Sequence, residues 1–216
     1  MLWTEPMAPR TFGEVTWITT PTGFVRRQDG AARDVPVAFA RLAVDIESPV
    51  EADLDGDGAR EVMFHTSFWR GWELRVVDGQ SGEPRARMRW GSARLDAVVR
   101  AAGRELVVVQ SSRQFGSKIV FPSGSPYGRP TGVALVGLDG DRFDVVWSMA
   151  TEASTRPPLV GDLDGDGLDD VVVPTVSGMV VIRQLAGGRF AGAWVAGISP
   201  RALGQLDGDR ALELSA

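Results

Sequence analysis

Two short segments of the chain concentrate acidic residues at a spacing suited to holding a cation. They are residues 53–62, DLDGDGAREV, and residues 162–171, DLDGDGLDDV. Carboxylates at the first, third and fifth loop positions converge when a glycine permits a sharp turn, the seventh residue offers its carbonyl oxygen, and the ninth offers another acid, which suits Ca²⁺. The predicted ligands are Asp53, Asp55, Asp57, the Ala59 carbonyl and Glu61 in the first segment, and Asp162, Asp164, Asp166, the Leu168 carbonyl and Asp170 in the second.

Two other interpretations of these segments compete with a calcium loop. A solvated Asp/Gly turn would leave four carboxylates repelling one another, which destabilises a fold unless a cation neutralises them. An EF-hand has the same first half but needs a bidentate acid at its twelfth position, followed by a helix. Phe64 and Val173 occupy that position and β-branched residues surround them, so an EF-hand is disfavoured.

A third and weaker copy of the pattern occupies residues 205–214. Gln205 replaces the first aspartate and Arg210 replaces the glycine, so the ion would lose one carboxylate and the favourable turn. We therefore expect at most a weak third Ca²⁺ site. Its acidic residues are Asp207, Asp209 and Glu213.

The acidic residue at the ninth position sets the period of an internal repeat. The residues that align in this way are Glu61, Glu105, Asp170 and Glu213. Two of the three intervals are roughly 44 residues, a length typical of a four-stranded propeller blade, and the longer one contains a Gly-, Ser- and Pro-rich insertion. In the repeat around Glu105, the ligand positions hold Ala97, Val99 and Ala101, so we expect no metal there.

The elements that must position these loops are strands. Short β-branched runs follow the anchors, and alternating apolar runs joined by Asp-Gly or Gly-Gly lie between them, which is typical of hairpins. The sequence therefore predicts an all-β fold, a single β-propeller of about four four-stranded antiparallel blades. Their approximate boundaries are 1–46, 47–91, 92–150 and 151–197, with a closing or partial blade at 198–216.

The ends of the chain leave the blade count open. By comparison with residues 171–178, residues 15–23 enter a blade at its second strand, and residues 211–216 end at a second strand. Either the C-terminal strands complete the N-terminal blade and close a ring of four, or the chain is a fragment of a larger propeller with exposed edges.

The two strong loops resemble FG-GAP or VCBS-type repeats, the calcium-loop blades of integrin-α-like propellers and of many bacterial surface or secreted proteins. Two strong and two degenerate motifs carry the resemblance, and their spacing organises nearly the whole chain. It implies bound Ca²⁺ and an extracellular, cell-surface or periplasmic location, although no signal peptide is visible at the N-terminus.

In such blades the metal loop joins the first and second strands, so the connections from second to third strand lie on the opposite face. Two of these connections, residues 65–72 and 110–130, are long or aromatic, and long loops on a rigid scaffold often bind ligands. The candidate ligand-binding residues are Trp69, Arg70, Trp72, Arg113, Phe115, Tyr127 and Arg129. The alternative is that Trp69 and Trp72 pack over the blade and the longer loop is mobile.

Three tryptophans, Trp90, Trp147 and Trp194, stand at equivalent ends of three predicted hairpins. Such a series could stack on carbohydrate rings. Because aromatic side chains dominate apolar burial, we favour the interpretation that they recur in the cores between neighbouring blades.

The composition excludes several classes of function. The net charge of -5 argues against a nucleic-acid partner, no apolar run is long enough to cross a membrane, and the absence of cysteine excludes disulfides and thiolate sites. The abundance of arginine, with Lys118 as the only lysine and no asparagine, suggests a GC-rich bacterial genome.

The sequence favours a calcium-binding interaction module for a protein or glycan ligand over an enzyme. The only histidine, His65, follows a strand and is better explained as structural, and we assign no catalytic residue. The alternative is a propeller enzyme, a lyase or hydrolase, with its active site in the central channel. A purely structural spacer is a third possibility.

Overall fold

The structure, a computed structural model, describes residues 10–12, 14–20, 23–36, 45–68, 71–90, 93–111, 132–152, 154, 156–197, 200–204 and 211–215. Within these ranges every regular element is a β-strand and there is no helix, so the all-β prediction is confirmed. The strands form four four-stranded antiparallel sheets and one two-stranded sheet, each made of strands consecutive in the chain.

The first two sheets cover the N-terminal part of the chain. The strands of the first sheet are β1 (Arg10–Phe12), β2 (Val15–Thr20), β3 (Gly23–Gln28) and β4 (Ala31–Pro36). Those of the second sheet are β5 (Asp45–Ala52), β6 (Glu61–Phe68), β7 (Gly71–Asp78) and β8 (Pro84–Trp90).

Three further sheets follow. The third contains β9 (Ala93–Ala101), β10 (Arg104–Ser111), β11 (Gly132–Asp139) and β12 (Arg142–Ala150). The fourth contains β13 (Leu159–Gly161), β14 (Asp170–Pro174), β15 (Gly178–Leu185) and β16 (Arg189–Ala196), and the fifth contains β17 (Ala202–Gly204) and β18 (Glu213–Ser215).

The first sheet differs from the expectation that the chain enters a blade at its second strand. The first strand is present as β1, which pairs antiparallel with β2. Thr11 and Thr16 face each other across this pair, and their hydroxyls lie 3.1 Å apart in a hydrogen bond. The expectation was wrong because three residues are too few to show an alternating pattern. At the other end, β17 pairs with β18 as a separate sheet.

Successive sheets pack against one another through their first strands. The contacts run from β1 to β5, from β5 to β9, from β9 to β13 and from β13 to β17. The outermost strands β8, β12 and β16 also touch in series. The sheets therefore follow one another in chain order.

Two apolar cores fill the spaces on either side of the third sheet. Val107 and Val109 of β10 face the second sheet, while Leu106 and Val108 face the fourth, as the period of two along a strand requires. The second sheet contributes Val50, Met63, Leu74, Val76 and Trp90 to one core, and the fourth contributes Val171, Val173, Val180 and Ile182 to the other. The third sheet is thus buried on both faces.

An aromatic cluster joins the first and second sheets. The ring centroids of Trp17 and Phe24 lie 5.9 Å apart, and those of Phe24 and Phe64 lie 5.0 Å apart, both in edge-to-face geometry. The indole Nε1 of Trp17 donates a hydrogen bond of 2.7 Å to the buried carboxylate of Glu51. The polar atom of this tryptophan is therefore satisfied inside the contact between the sheets.

The three repeated tryptophans have different environments. Trp90 is buried in the core between the second and third sheets, and Trp147 is partly buried against the core between the third and fourth. Trp194 is 45% exposed, so the core interpretation fails for this residue.

Candidate metal centre

The two acidic segments occupy the same place in two different sheets. The first aspartate loop (residues 53–61) leads from β5 into β6, and the second aspartate loop (residues 162–170) leads from β13 into β14. The glycines at the sixth position, Gly58 and Gly167, have φ values of 88° and 85°, a conformation that side chains disfavour. The sequence therefore folds both loops by the same glycine-dependent turn.

In the first aspartate loop, Asp53, Asp55 and Glu61 offer carboxylate oxygens that all lie within 4.8 Å of one another. Asp53 accepts hydrogen bonds from the N–H groups of Gly56 at 2.8 Å and Gly58 at 3.1 Å. Glu61 is fully buried and accepts a 2.9 Å hydrogen bond from the Leu54 N–H. The loop backbone thus holds the first and ninth residues in position.

One predicted carboxylate ligand of the first aspartate loop, Asp57, stands apart from this group. Asp57 is exposed, and its carboxylate accepts a 2.7 Å hydrogen bond from the N–H of Ala59. Ala59 is itself exposed and lies just before β6. The group therefore contains the first, third and ninth acids of the motif but not the fifth.

In the second aspartate loop the convergent acids are Asp162, Asp164 and Asp166. The N–H groups of Gly165 and Gly167 donate to Asp162 at 2.7 and 2.8 Å, as in the first loop. The two loops thus share the hydrogen bonds of their first aspartate but not the same set of convergent acids.

The remaining predicted ligands of the second loop lie beside this group. The Leu168 N–H donates to Asp166 at 2.8 Å. Asp170 is buried, and its two oxygens accept hydrogen bonds from the N–H groups of Leu163 at 3.2 Å and Gln184 at 2.8 Å. These bonds direct the ninth acid toward the main chain, whereas Glu61, which is one methylene longer, belongs to the convergent group of its own loop.

The environment perturbs the pKa values of these acids in opposite directions. Burial raises the pKa of Glu61 and, in the second loop, that of Asp170. Although burial opposes it, the hydrogen bond from Arg85 lowers the pKa of Asp55. Each loop therefore combines a buried ninth acid, for which charge is costly, with more exposed acids near its opening. All donors are oxygens, and either group could hold a hard cation.

Two arginines that lie outside the sequence motif are placed among these acids. Arg85 of β8 donates from Nη2 to Asp55 at 2.8 Å, from Nη1 to Glu61 at 2.6 Å and from Nε to Asp141 at 3.2 Å. These partners raise its pKa despite partial burial.

Arg183 of β15 takes the corresponding place in the second loop. Its Nη1 lies 2.6 Å from Asp164 and 3.2 Å from Asp170. Arg85 follows Glu61 by 24 residues and Arg183 follows Asp170 by 13, so no common spacing marks the two arginines in the sequence.

Main-chain hydrogen bonds tie each aspartate loop to the next sheet. The carbonyl of Asp53 accepts from the N–H of Glu105 at 2.7 Å, and that of Leu54 accepts from Leu138 at 2.9 Å. In the second loop the Asp162 carbonyl accepts from Leu212 at 2.8 Å. Both loops are therefore fixed from outside their own sheets.

Glu105, the anchor of the weakly matching repeat, lies in β10 just after a two-residue turn. The turn residues Ala102 and Gly103 have φ values of 50° and 83°, which is typical of tight hairpins. Oε2 of Glu105 accepts a 3.0 Å hydrogen bond from the Asp53 N–H and lies 3.1 Å from Nη2 of Arg60. This acid therefore supports the first aspartate loop from the neighbouring sheet.

A cleft of about 560 Å³ opens between the two aspartate loops and the turn of the third sheet. Its charged lining residues are Arg60, Arg100, Arg104, Asp53, Glu105 and Asp169. Three cations and three acids balance one another, so the cleft has no net charge from its lining. It lies beside the aspartate loops rather than on the face where the sequence predicts a ligand.

The predicted ligand surface on the opposite face is mostly outside the described residues. This applies to Trp69, Arg70, Arg113, Phe115, Tyr127 and Arg129, and also to Asp207 and Asp209 of the weak third site. Trp72 lies in β7, where its backbone pairs with Ser67 and Trp90, and Glu213 is the first residue of β18. His65 lies within β6 with its side chain buried.

Comparison with known proteins gives a likeness of fold but no family. The chain matches no protein-family model and no curated protein. The crystal structure of the exotype rhamnogalacturonan lyase YesX is similar, with a TM-score of 0.51 and 13% sequence identity. The match covers 93% of this chain and 46% of that protein, so the chain spans less than half the length of the lyase. In the described part of the chain, no helix could cross a membrane.

Proposed function

We propose that this chain is a β-propeller segment that binds Ca²⁺ through its two aspartate loops and serves as a binding module for a protein or glycan. The observation that carries the proposal is the repeated group of three carboxylates, with oxygens within 4.8 Å of one another, at the entry to the second strand of two sheets. Placement of one motif at one position in two sheets favours a shared role over two unrelated acidic turns.

The arrangement of the sheets supports the propeller. Each of the first four sheets contains four antiparallel strands in chain order, which is the connectivity of a propeller blade. The first strands of consecutive sheets are in contact, as they are around a propeller axis. The similarity of fold to a longer protein is compatible with a segment of a larger array.

The donor chemistry supports Ca²⁺ as the cation. Carboxylates are hard ligands that suit Ca²⁺, whereas imidazole and thiolate ligands, which favour Zn²⁺ or Cu⁺, are absent from both loops. The residues that would hold the ion are the convergent acids of each loop. The bound ion would offset the repulsion among the acids at the first, third, fifth and ninth positions of each loop and stabilise the sheets by mass action.

Extracellular Ca²⁺ modules often bind with dissociation constants of about 10⁻⁴–10⁻³ M. Sites of that strength would fill only outside a cell. We therefore propose an extracellular, cell-surface or periplasmic location. The two strong loops give two sites, and the residues around Glu213 give a weaker third site at most.

The proposed ligand surface lies on the face opposite the aspartate loops. Residues 69–70 join β6 to β7 and residues 112–131 join β10 to β11, and both connections leave the far ends of the strands that carry or flank the first loop. A double substitution of Trp69 and Tyr127 to alanine should abolish binding to a glycan or protein found by array screening. Retention of binding would remove these residues from the proposed site.

A carbohydrate-active enzyme is the second candidate, and two observations favour considering it. A solved structure similar to this chain is that of a rhamnogalacturonan lyase, and a cleft lined by arginines and acids lies between the aspartate loops. A lyase would release an unsaturated sugar from rhamnogalacturonan, which ultraviolet absorbance detects. Release of unsaturated product that is lost on Arg100→Ala would support the enzyme, and no release at high protein concentration would favour the binding module.

The experiment that tests calcium binding is thermal unfolding in EDTA and across a calcium titration. The wild-type chain is compared with the double variant Asp55→Ala with Asp164→Ala. We expect the melting temperature of the wild type to rise with calcium and that of the double variant to stay constant. A melting temperature independent of calcium in the wild type would overturn the calcium proposal and leave only the sheet architecture.

A further inference from the structure

In both aspartate loops, an arginine side chain from a strand of the same sheet lies between the acids at the third and ninth loop positions. Arg85 bridges Asp55 and Glu61, and Arg183 bridges Asp164 and Asp170. The two arginines come from different strands of their sheets, β8 and β15, so the shared position is not a consequence of the sequence repeat. Because arginines from two different strands make the same contact, we infer that the contact has a role connected with the loop acids.

We propose that Arg85 and Arg183 are internal counter-cations that compete with Ca²⁺ for the loop carboxylates, and that this competition makes the first aspartate loop the weaker site. This inference rests on the calcium binding proposed above. It assigns to each site a competitor built into the chain.

The competition follows from the chemistry of the two cations. Guanidinium keeps its proton in proteins, so Arg85 cannot vacate its place by becoming neutral. Its hydrogen bonds to Asp55 and Glu61 are charge-assisted, and an ion that takes the same oxygens must break or lengthen them. The cost of that exchange reduces the apparent affinity for the ion.

The two competitors differ in strength. Arg85 uses three different nitrogens for three carboxylates, and its side chain is 20% exposed. Arg183 offers one nitrogen to two carboxylates and is 38% exposed, so water weakens its contacts more. Each arginine has one fully buried partner, Glu61 for Arg85 and Asp170 for Arg183, so the difference between them lies in the number of contacts and in the exposure of the arginine.

A purely structural ion pair is the competing explanation. A structural arginine stabilises the fold equally with and without calcium, and its removal leaves calcium affinity unchanged or weakens it. A counter-cation stabilises the fold mainly in the absence of calcium, and its removal strengthens calcium binding. The two explanations therefore predict opposite signs for the change in affinity.

The test is calorimetric titration of the 216-residue chain with CaCl₂, with one loop disabled at a time. In the Asp164→Ala background only the first loop can bind calcium, and Arg85→Gln is added to that background. Asp55→Ala leaves the second loop, and the added change is Arg183→Gln. We expect about tenfold tighter binding from Arg85→Gln, since at least one charge-assisted hydrogen bond no longer has to be broken, and a smaller gain from Arg183→Gln.

Arg87→Gln is the matched control for Arg85→Gln. Arg87 lies two residues further along β8, is exposed, and its replacement removes the same charge from the chain. We expect a change of less than about twofold for this variant, because exposed charges are screened. An equal gain from Arg87→Gln would show that net charge, not the bridging contact, sets the affinity, and would overturn the proposal.

Melting temperatures give a second readout. Arg85→Gln should lower the melting temperature in EDTA, where Glu61 loses its partner, and should match the parent in saturating calcium. Arg85→Lys keeps the positive charge but loses the planar guanidinium that binds two carboxylates at once. Its calcium affinity should lie between those of the parent and of Arg85→Gln. It replaces Arg85→Gln in the test if the glutamine variant unfolds in EDTA. An equal loss of melting temperature in both conditions would overturn the proposal.

The outcomes separate this inference from the calcium proposal. If no variant binds calcium, Arg85→Gln included, both fail. If calcium binds and the arginine variants leave its affinity unchanged or weaker, only the counter-cation assignment fails. If the second loop proves the weaker site while both arginine variants gain affinity, the competition stands and its assigned ranking is wrong.

Discussion

At the scale of single residues, the carboxylate of Asp78 stabilises the turn between β7 and β8, the strand that carries Arg85. Asp78 ends β7, and its Oδ1 accepts hydrogen bonds from the Ser81 N–H, from the Ser81 hydroxyl at 2.8 Å and from the Gln80 N–H at 2.9 Å. This turn leads into β8, which carries Arg85. The N–H of Ser81 makes the largest contribution to lowering the pKa of Asp78.

Asp78→Asn should therefore lower stability in a pH-dependent way. A depressed folded-state pKa contributes stability above the ordinary value of 3.8, and that contribution is lost as the pH falls through the folded-state pKa. In EDTA at neutral pH we expect the variant to lose about 1 kcal/mol of unfolding free energy, with the gap closing as the pH falls below 3.8 and through the folded-state pKa. Urea unfolding across this range measures the gap, and a gap constant with pH would contradict the assignment.

The individual acids also show what the sequence can predict. The motif identified the aspartates around both candidate centres, because residue type and spacing alone bring first and third positions together. It did not distinguish Asp57 from Asp166, or Glu61 from Asp170. Those differences depend on which N–H groups and arginines take the oxygens, and Arg85 and Arg183 reach the loops through tertiary structure rather than through spacing.

At the scale of strands, β12 and β16 show how one irregularity changes the role of a repeated residue. Both strands contain Phe and Trp four residues apart, Phe143 with Trp147 and Phe190 with Trp194. The pairing of β11 with β12 shifts register between Leu135 and Val136, whereas β15 pairs with β16 without a shift. A bulge reverses the faces of the residues that follow it, so Trp147 packs toward the fourth sheet while Trp194 stays on the face of Phe190.

The contact between Trp147 and Gly192 should be sensitive to a single methyl group. A Cβ at Gly192 would overlap the indole ring of Trp147 in the neighbouring sheet. We expect Gly192→Ala to lower the unfolding free energy by about 1–3 kcal/mol, as overpacking does. Chemical denaturation measures the change.

Gly204→Ala is the matched control for this contact. Gly204 lies in β17, and nothing lies within 4 Å of the position that its Cβ would take. We expect it to be neutral or stabilising by less than about 1 kcal/mol. Equal effects of the two substitutions would show that strand propensity, not the tryptophan contact, governs both positions.

The strands themselves were accessible from sequence where alternation and turn residues agreed. The Asp-Gly and Gly-Gly pairs that predicted hairpins are Asp29-Gly30, Asp78-Gly79, Asp139-Gly140 and Gly187-Gly188, and each lies in a turn between paired strands or at its edge. The short strand β1 and the register shift beside Trp147 were not accessible. Three residues carry no periodic signal, and a one-residue bulge changes no residue type.

At the scale of the whole molecule, the third sheet is the centre of the packed array. Its β10 contributes alternate side chains to two cores, and Glu105 of β10 and Leu138 of β11 donate main-chain hydrogen bonds to the first aspartate loop. By contrast, β16 is an edge strand whose residues are mostly exposed. Resistance to opening should therefore be greatest in the middle of the array and fall toward its ends.

Amide hydrogen exchange should report this gradient. Among the described strands, we expect the slowest exchange in β10 and β11, which open only with the whole array, and faster exchange in β16 and β17. Mass spectrometry of peptic fragments after deuterium labelling gives the comparison. Faster exchange in β10 than in β16 would show that the cores on either side of the third sheet do not govern the stability of the array.

The hydrogen bonds from the third sheet to the first aspartate loop also have a consequence for the order of assembly. Glu105, Leu138 and Asp141, which hold the loop or its arginine, all follow it in the chain. During synthesis the acids of residues 53–61 leave the ribosome long before these partners exist, so the loop begins as four clustered charges on an incomplete support. Strands of the second sheet can pair at that stage, but their candidate metal centre gains these contacts only when the third sheet docks. When the sheets form in order from the N-terminus, an aspartate loop is therefore fully supported only after the sheet that follows its own has formed.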